Sequence, residues 1–129
     1  MSTPAATPLP ILWSAFVPTH LMFLIIGNFV PAEPIAQADL VPLLALPAVV
    51  AAGIAAEGSL LARVAPKAQS WFVMRFALAE VAALVGFLSY FLTGTHLVQF
   101  LCAGVGFMAH VLSLPTAGAL TRHAALQQR

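Results

Sequence analysis

Charge is what this chain has least of. Five Lys and Arg and four Asp and Glu make up 7% of 129 residues, where a soluble domain carries roughly 25%. That scarcity excludes an ordinary soluble globule. A formal net charge of +1 leaves no basic face for nucleic acid. Cysteine is nearly absent as well: the single Cys102 has no disulfide partner in the chain and lies within an apolar run, so there is no disulfide framework to read. Catalytic punctuation is also missing. No P-loop, nucleophile elbow or dinucleotide fingerprint occurs, and no His, Cys, Asp and Glu fall at metal-ligand spacing. These absences point to a non-enzymatic protein with no cofactor and no metal.

What is present is long apolar sequence. Hydrophobic residues make up 61% of the chain, and a bilayer core about 30 Å thick takes roughly 20 of them per helix. Four such runs occur, at about 11–30, 40–62, 71–93 and 97–114. They predict an all-α, four-transmembrane-helix antiparallel bundle, a single integral membrane domain over 1–129 with a tail at 115–129. An A-x-A-like stretch, Ile35-Ala36-Gln37-Ala38, follows the first run as it would in a secretory signal, yet residues 1–10 contain no Lys or Arg to form a basic n-region. The first run is therefore read as a retained helix. Basic residues occur in two places, Arg63, Lys67 and Arg75 around the middle connection and Arg122 and Arg129 in the tail, whereas Glu33 and Asp39 lie in the first connection. Cytoplasmic loops attract Lys and Arg, so the middle connection and both termini are expected to be cytoplasmic.

Local signals refine these boundaries. Pro31 and Pro34 punctuate the first connection, Pro42 suits the first turn of the second helix, and Pro18 and Pro47 lie deeper, where each removes a helical hydrogen bond. Ser70 is the expected N-cap of the third helix. Thr93-Gly94-Thr95-His96 is a tight turn joining the third and fourth helices, and Pro115 ends the fourth. The tail beyond it reads as interfacial or disordered. In the second run Ala48, Ala52 and Ala56 recur every four residues, as do Ala51, Ala55 and Ser59. That pattern lets helices approach closely, within the bundle or between copies. Trp13 and Trp71, with Asn28 and Tyr90 toward the other face, are expected to be interfacial anchors.

Ionisable residues inside the runs are the candidate site. An Asp, Lys or Arg at a helix centre costs about 2.5–3.5 kcal/mol on insertion scales, so such groups seek partners. At about 1.5 Å per residue, Glu57 and Arg75 lie roughly 6–7 Å inside the cytoplasmic end, with His110 near the same level. Glu80 and His20 lie close to the middle. Arg75 and Glu80, five residues apart, point about 140° from each other and are not expected to pair. Two polar layers result: Glu57 with Arg75 and His110, and Glu80 with His20. Phe76, Ala83, Leu84 and Phe87 share the Glu80 face and would strip water from the carboxyl. Three roles remain open for these layers: register-fixing contacts between helices, a proton-binding carboxyl at Glu80, or a contact with a partner subunit or lipid headgroup.

The segment Ala52-Gly53-Ile54-Ala55-Ala56-Glu57-Gly58-Ser59, then Ala62-Arg63 and Pro66, followed by Ala77-Leu78-Ala79-Glu80 and Gly86, resembles the c subunit of rotary ATP synthases over about residues 48–92. That resemblance implies an ion-carrying carboxylate at Glu80. The chain departs from it in its two additional helices, in the lack of a regular glycine repeat and in Arg75 on the carboxylate helix. The whole pattern, from Arg75 and Glu80 through Phe91-Leu92-Thr93-Gly94 to Pro115-Thr116, is similar to a group of small bacterial four-span membrane proteins, which implies the bacterial inner membrane and no particular activity. The expected role is an accessory or self-assembling subunit of a membrane complex, with lipid and further membrane subunits or copies of itself as partners. The alternative is a c-subunit-like proton- or ion-binding protein using Glu80.

Overall fold

The structure, a computed structural model, describes residues 8–35 and 40–128. The chain is all-helical: α1 Pro8–Phe29, α2 Val41–Glu57, α3 Ser59–Val64, α4 Ala68–Thr93, α5 His96–Leu112 and α6 Ala117–Gln127. Ala36, Gln37, Ala38, Asp39 and Arg129, all used in the sequence reading, lie outside the described residues.

The longest helix, α4, is the centre of the fold. It packs against α1, α2 and α5 and touches α3 and α6, while α1 and α2 each also pack on α5. Small residues make the α4–α5 contact close: a Cβ added to Gly86 would come within 2.5 Å of the Cys102 Cβ, and one on Gly106 within 2.6 Å of the Ala79 carbonyl oxygen. Ala48, Ala52 and Ala55 of α2 complete this layer with Ala79, Ala82, Val98, Cys102 and Ala109. Much of the small-residue stripe therefore serves packing within the bundle. A second, aromatic cluster of Leu9, Leu61, Ala62, Ala65, Trp71, Phe72 and Phe76 fills the end where α3 and α6 lie.

Two helices, Leu9–Phe29 with 21 residues and Ala68–Thr93 with 26, are long and apolar enough to cross a membrane; α5 and α6 pass the same test together as a pair bent by 84°. Helix α2 is apolar but has 17 residues, about 25 Å of rise against a core of about 30 Å. Among the described residues, length and composition thus mark two or three spans.

Several expectations are corrected. The second run is two helices, because Gly58 adopts φ 74° and ends α2 with its own N–H on the Ile54 carbonyl. A side chain there would be strained by that backbone and would meet the Trp71 ring at 2.8 Å. The third helix starts at Ala68, capped by Lys67 without a side-chain hydrogen bond, so Ser70 lies inside its first turn. Residues 117–127 form a helix whose N-cap, Thr116, accepts the Ala119 N–H at 3.1 Å. Pro18 and Pro47 lie within α1 and α2, as their depth in the runs predicts. The first connection is tied to the far end of α4, through Tyr90 Oη donating to the Val30 carbonyl at 3.1 Å and the Ile35 N–H to that of Leu92 at 3.0 Å.

Candidate functional site

Arg75 projects from α4 into the junction of α2, α3 and α5 and is 2% exposed. The expected ion pair with Glu57 does not form. Arg75 Nε donates to the Ala55 carbonyl at 2.5 Å, and Nη2 donates to those of Ala56 at 2.9 Å and Leu112 at 3.1 Å. These carbonyls end α2 and α5, where the last turn has no intrahelical donors left and the helix dipole presents its negative pole. Two helix ends thus hold one buried cation in place of a carboxylate. Its guanidinium carbon also stands 4.5 Å from the centre of the Trp71 ring, and Trp71 Nε1 donates to the Gly58 carbonyl at 2.7 Å. Trp71 is fully buried, so it is a strut and not the interfacial anchor expected.

Glu57 faces outward instead. Its carboxylate accepts the backbone N–H of Ser59 at 2.7 Å and its hydroxyl at 2.5 Å, so it caps the start of α3, and it lies 3.5 Å from Arg122 of α6. Arg122 also donates to the Glu57 carbonyl at 2.6 Å. His123 adds a contact to the Ala65 carbonyl at 3.2 Å and packs on Trp71, while the Gln127 amide donates to the Ala62 carbonyl. Helix α6 is therefore pinned across the end of α3.

The central layer forms as depth predicts. His20 Nδ1 of α1 stands 2.9 Å from Glu80 Oε1 of α4, with the side chains 2% and 13% exposed. That is ion-pair distance, and the same Nδ1 also lies 3.4 Å from the Phe16 carbonyl one turn back on α1. Glu80 lines a groove of about 320 Å³ between α1 and α4 with Phe16, Thr19, Phe23, Ala77, Val81 and Leu84.

His110 belongs to this layer and not to the Arg75 layer. Its ring is 5.5 Å from that of His20 and 5.3 Å from that of Phe76. A reciprocal pair ties it to α1: Trp13 Nε1 donates to the His110 carbonyl and His110 Nε2 donates to the Trp13 carbonyl, each at 2.9 Å. Trp13 thus bridges two helices.

Gln99, Ser89 and Ser113 are buried polar residues that escaped the sequence reading. Gln99 of α5, 1% exposed, donates to the Phe23 carbonyl at 2.9 Å and accepts from His96 Nδ1 at 3.4 Å. Gly27 makes room for it, since a Cβ there would lie 2.0 Å from the Gln99 amide nitrogen. The signal was available: His96, Gln99, Ala103, Gly106, His110 and Ser113 recur at alternating steps of three and four, one face of a helix.

Among the described residues, no group of His, Cys, Asp and Glu assembles a metal site. Among the described residues, the buried side-chain atoms without a hydrogen-bond partner are His20 Nε2, Glu80 Oε2 and His110 Nδ1, with Glu80 Oε1 met only by His20 Nδ1, all in the central layer. No protein-family model, curated protein or solved structure matches this chain.

Proposed function

We propose that this chain is a four-span, non-enzymatic membrane protein that takes up and releases a proton at the Glu80–His20 pair. The observation that carries the reading is the clustering of unpartnered polar atoms in that one layer. Buried polar groups are normally hydrogen-bonded, and those that are not call for an explanation. A contact whose task is to hold helices in register gains from full satisfaction, as Arg75 has. A carboxyl and an imidazole that must change protonation state need free lone pairs.

The four-span topology is supported by charge. Arg63, Lys67 and Arg122 collect at the α3–α6 end, and Glu33 lies in the connection tied to the other end of α4. The positive-inside rule makes the α3–α6 end cytoplasmic. In a Cys102→Ser background, single cysteines at Lys67 and Gln128 are expected to react with an impermeant thiol reagent from the cytoplasmic side, and those at Glu33 and Thr95 from the opposite side. Any other pairing overturns the topology.

Proton binding is tested by carbodiimide modification, which requires a protonated, accessible membrane carboxyl. Glu80 is expected to label, with labelling absent in Glu80→Gln. A Glu80 inert at every pH refutes the reading.

The assembly reading rests on a different feature, an apolar groove of about 520 Å³ between α2 and α5, lined by residues including Val49, Gly53, Phe100, Gly104 and Met108. Gly53 and Gly104 have open space where a side chain would stand, room for close approach by a helix of a second copy. Native mass measurement in mild detergent is expected to give one defined oligomer; a uniform monomer counts against assembly.

A further inference from the structure

The proton site has a second station, and its position makes the site one-sided. His110 Nε2 donates to the Trp13 carbonyl, so in the neutral ring the hydrogen is on Nε2 and Nδ1 presents a lone pair. His20 Nδ1 faces the Glu80 carboxylate at 2.9 Å, nearer than the Phe16 carbonyl at 3.4 Å; with the hydrogen there, Nε2 also presents a lone pair. These two nitrogens are the unpartnered ring nitrogens of the layer, on rings 5.5 Å apart between centres. Two acceptors in one buried layer lack a donor, and one added proton supplies it.

Resting on the proton-binding reading above, we infer that His110 relays protons to the Glu80–His20 pair, and that this pair exchanges protons only with the α3–α6 side of the membrane. The step balances. A protonated His110 gives its Nδ1 hydrogen to His20 Nε2 as the Nδ1 hydrogen of His20 passes to Glu80 Oε1. The products are neutral His110, neutral His20 carrying hydrogen on Nε2, and neutral Glu80. A positive charge on His110 and a negative charge on Glu80 disappear together, which removes the burial penalty of both.

The opposite direction offers no comparable station among the described residues. Toward the α4–α5 turn the next polar side chain on this face of α5 is Gln99, whose amide is committed to Phe23 and His96. Between the two levels α5 presents Ala103 and Gly106. The ionisable groups at the layer are His20 from α1, Glu80 from α4 and His110 from α5, while among the described residues the buried face of α2 brings Ala48, Ala51, Ala52 and Ala55. The permanent charge on the His110 side is Arg75, anchored on its carbonyls.

The test uses the full chain in sealed liposomes of known orientation, with pH stepped on one side at a time. The infrared carbonyl band of protonated Glu80, identified by its loss in Glu80→Gln, is followed in time. The band is expected to follow pH on the α3–α6 side. His110→Phe, which keeps a ring in place, is expected to slow the response by roughly 10²-fold, while Gln99→Leu leaves the rate unchanged. A band that follows pH on the opposite side overturns the inference, as does a folded His110→Phe with the wild-type rate. If His110→Phe does not fold, sidedness in the wild-type chain decides alone. Absence of the band at every pH on both sides refutes proton binding itself, a separate failure.

Discussion

Two buried polar layers lie little more than one turn apart on α4, and they are built on opposite plans. At Arg75 a permanent cation meets three backbone carbonyls and an aromatic ring, and its donors are spent on helix ends that need them. At Glu80 two imidazoles and a carboxyl are brought together with atoms to spare. A saturated layer can only hold; an unsaturated one can change state. The contrast separates rigidity from chemistry within a single helix, with Arg75 fixing the ends of α2 and α5 and thereby the frame in which α1 and α5 bring their imidazoles to Glu80.

The largest expected effect comes from breaking the saturated layer. Arg75→Leu removes the donor from the Ala56 and Leu112 carbonyls and leaves that of Ala55 only the long contact from the Ser113 hydroxyl at 3.5 Å, a loss of about 3–5 kcal/mol, measurable as lowered resistance to unfolding by denaturing detergent in mixed micelles. An unchanged unfolding curve would show that the helix ends do not depend on the guanidinium. Gly58→Ala is next. The left-handed backbone and the collision with Trp71 together cost about 2–4 kcal/mol, checked by the same unfolding curve and by exposure of Trp71 fluorescence to aqueous quenchers.

Glu80→Gln sharpens the comparison in the other direction. Removing an incompletely bonded charge from the interior is expected to leave stability within about 1 kcal/mol of wild type or raise it, while abolishing carbodiimide labelling and the proton-dependent infrared band. A large loss of stability would make Glu80 a lock like Arg75. The smallest effect is expected at Arg122→Ala, since the Arg122–Glu57 pair is half-exposed and screened by salt. Amide hydrogen exchange should rise in α6 alone, with less difference from wild type at high salt.

How much of this was legible can be judged residue by residue. The pairing of Glu80 with His20 came from depth alone, because charges in apolar helices seek partners at their own level. Arg75 was placed at the right depth but given the wrong partner. Sequence displays the carboxylate of Glu57, whereas a carbonyl at a helix end is identical at every position until the fold shows which helices end there. His110 was at the level of Arg75 by residue count, but its ring reaches α1 through Trp13, a contact that no single-helix count contains. Gln99 was overlooked because it carries no charge, although its three-and-four spacing with His96 and His110 was readable. The break at Gly58 was hidden inside an apolar run, since glycine in such a run also serves close packing.

The sequence alone determined an apolar, charge-poor, all-helical chain with a carboxyl and an imidazole at matching depth, because hydropathy and the 1.5 Å rise of a helix are properties of the chain itself. Tertiary structure decided which polar atoms are satisfied and which remain free. Hydrogen-bond satisfaction is a relation between helices distant in sequence, and here it separates Arg75, whose donors are spent on helix ends, from the unpartnered atoms on which the proposed proton exchange rests.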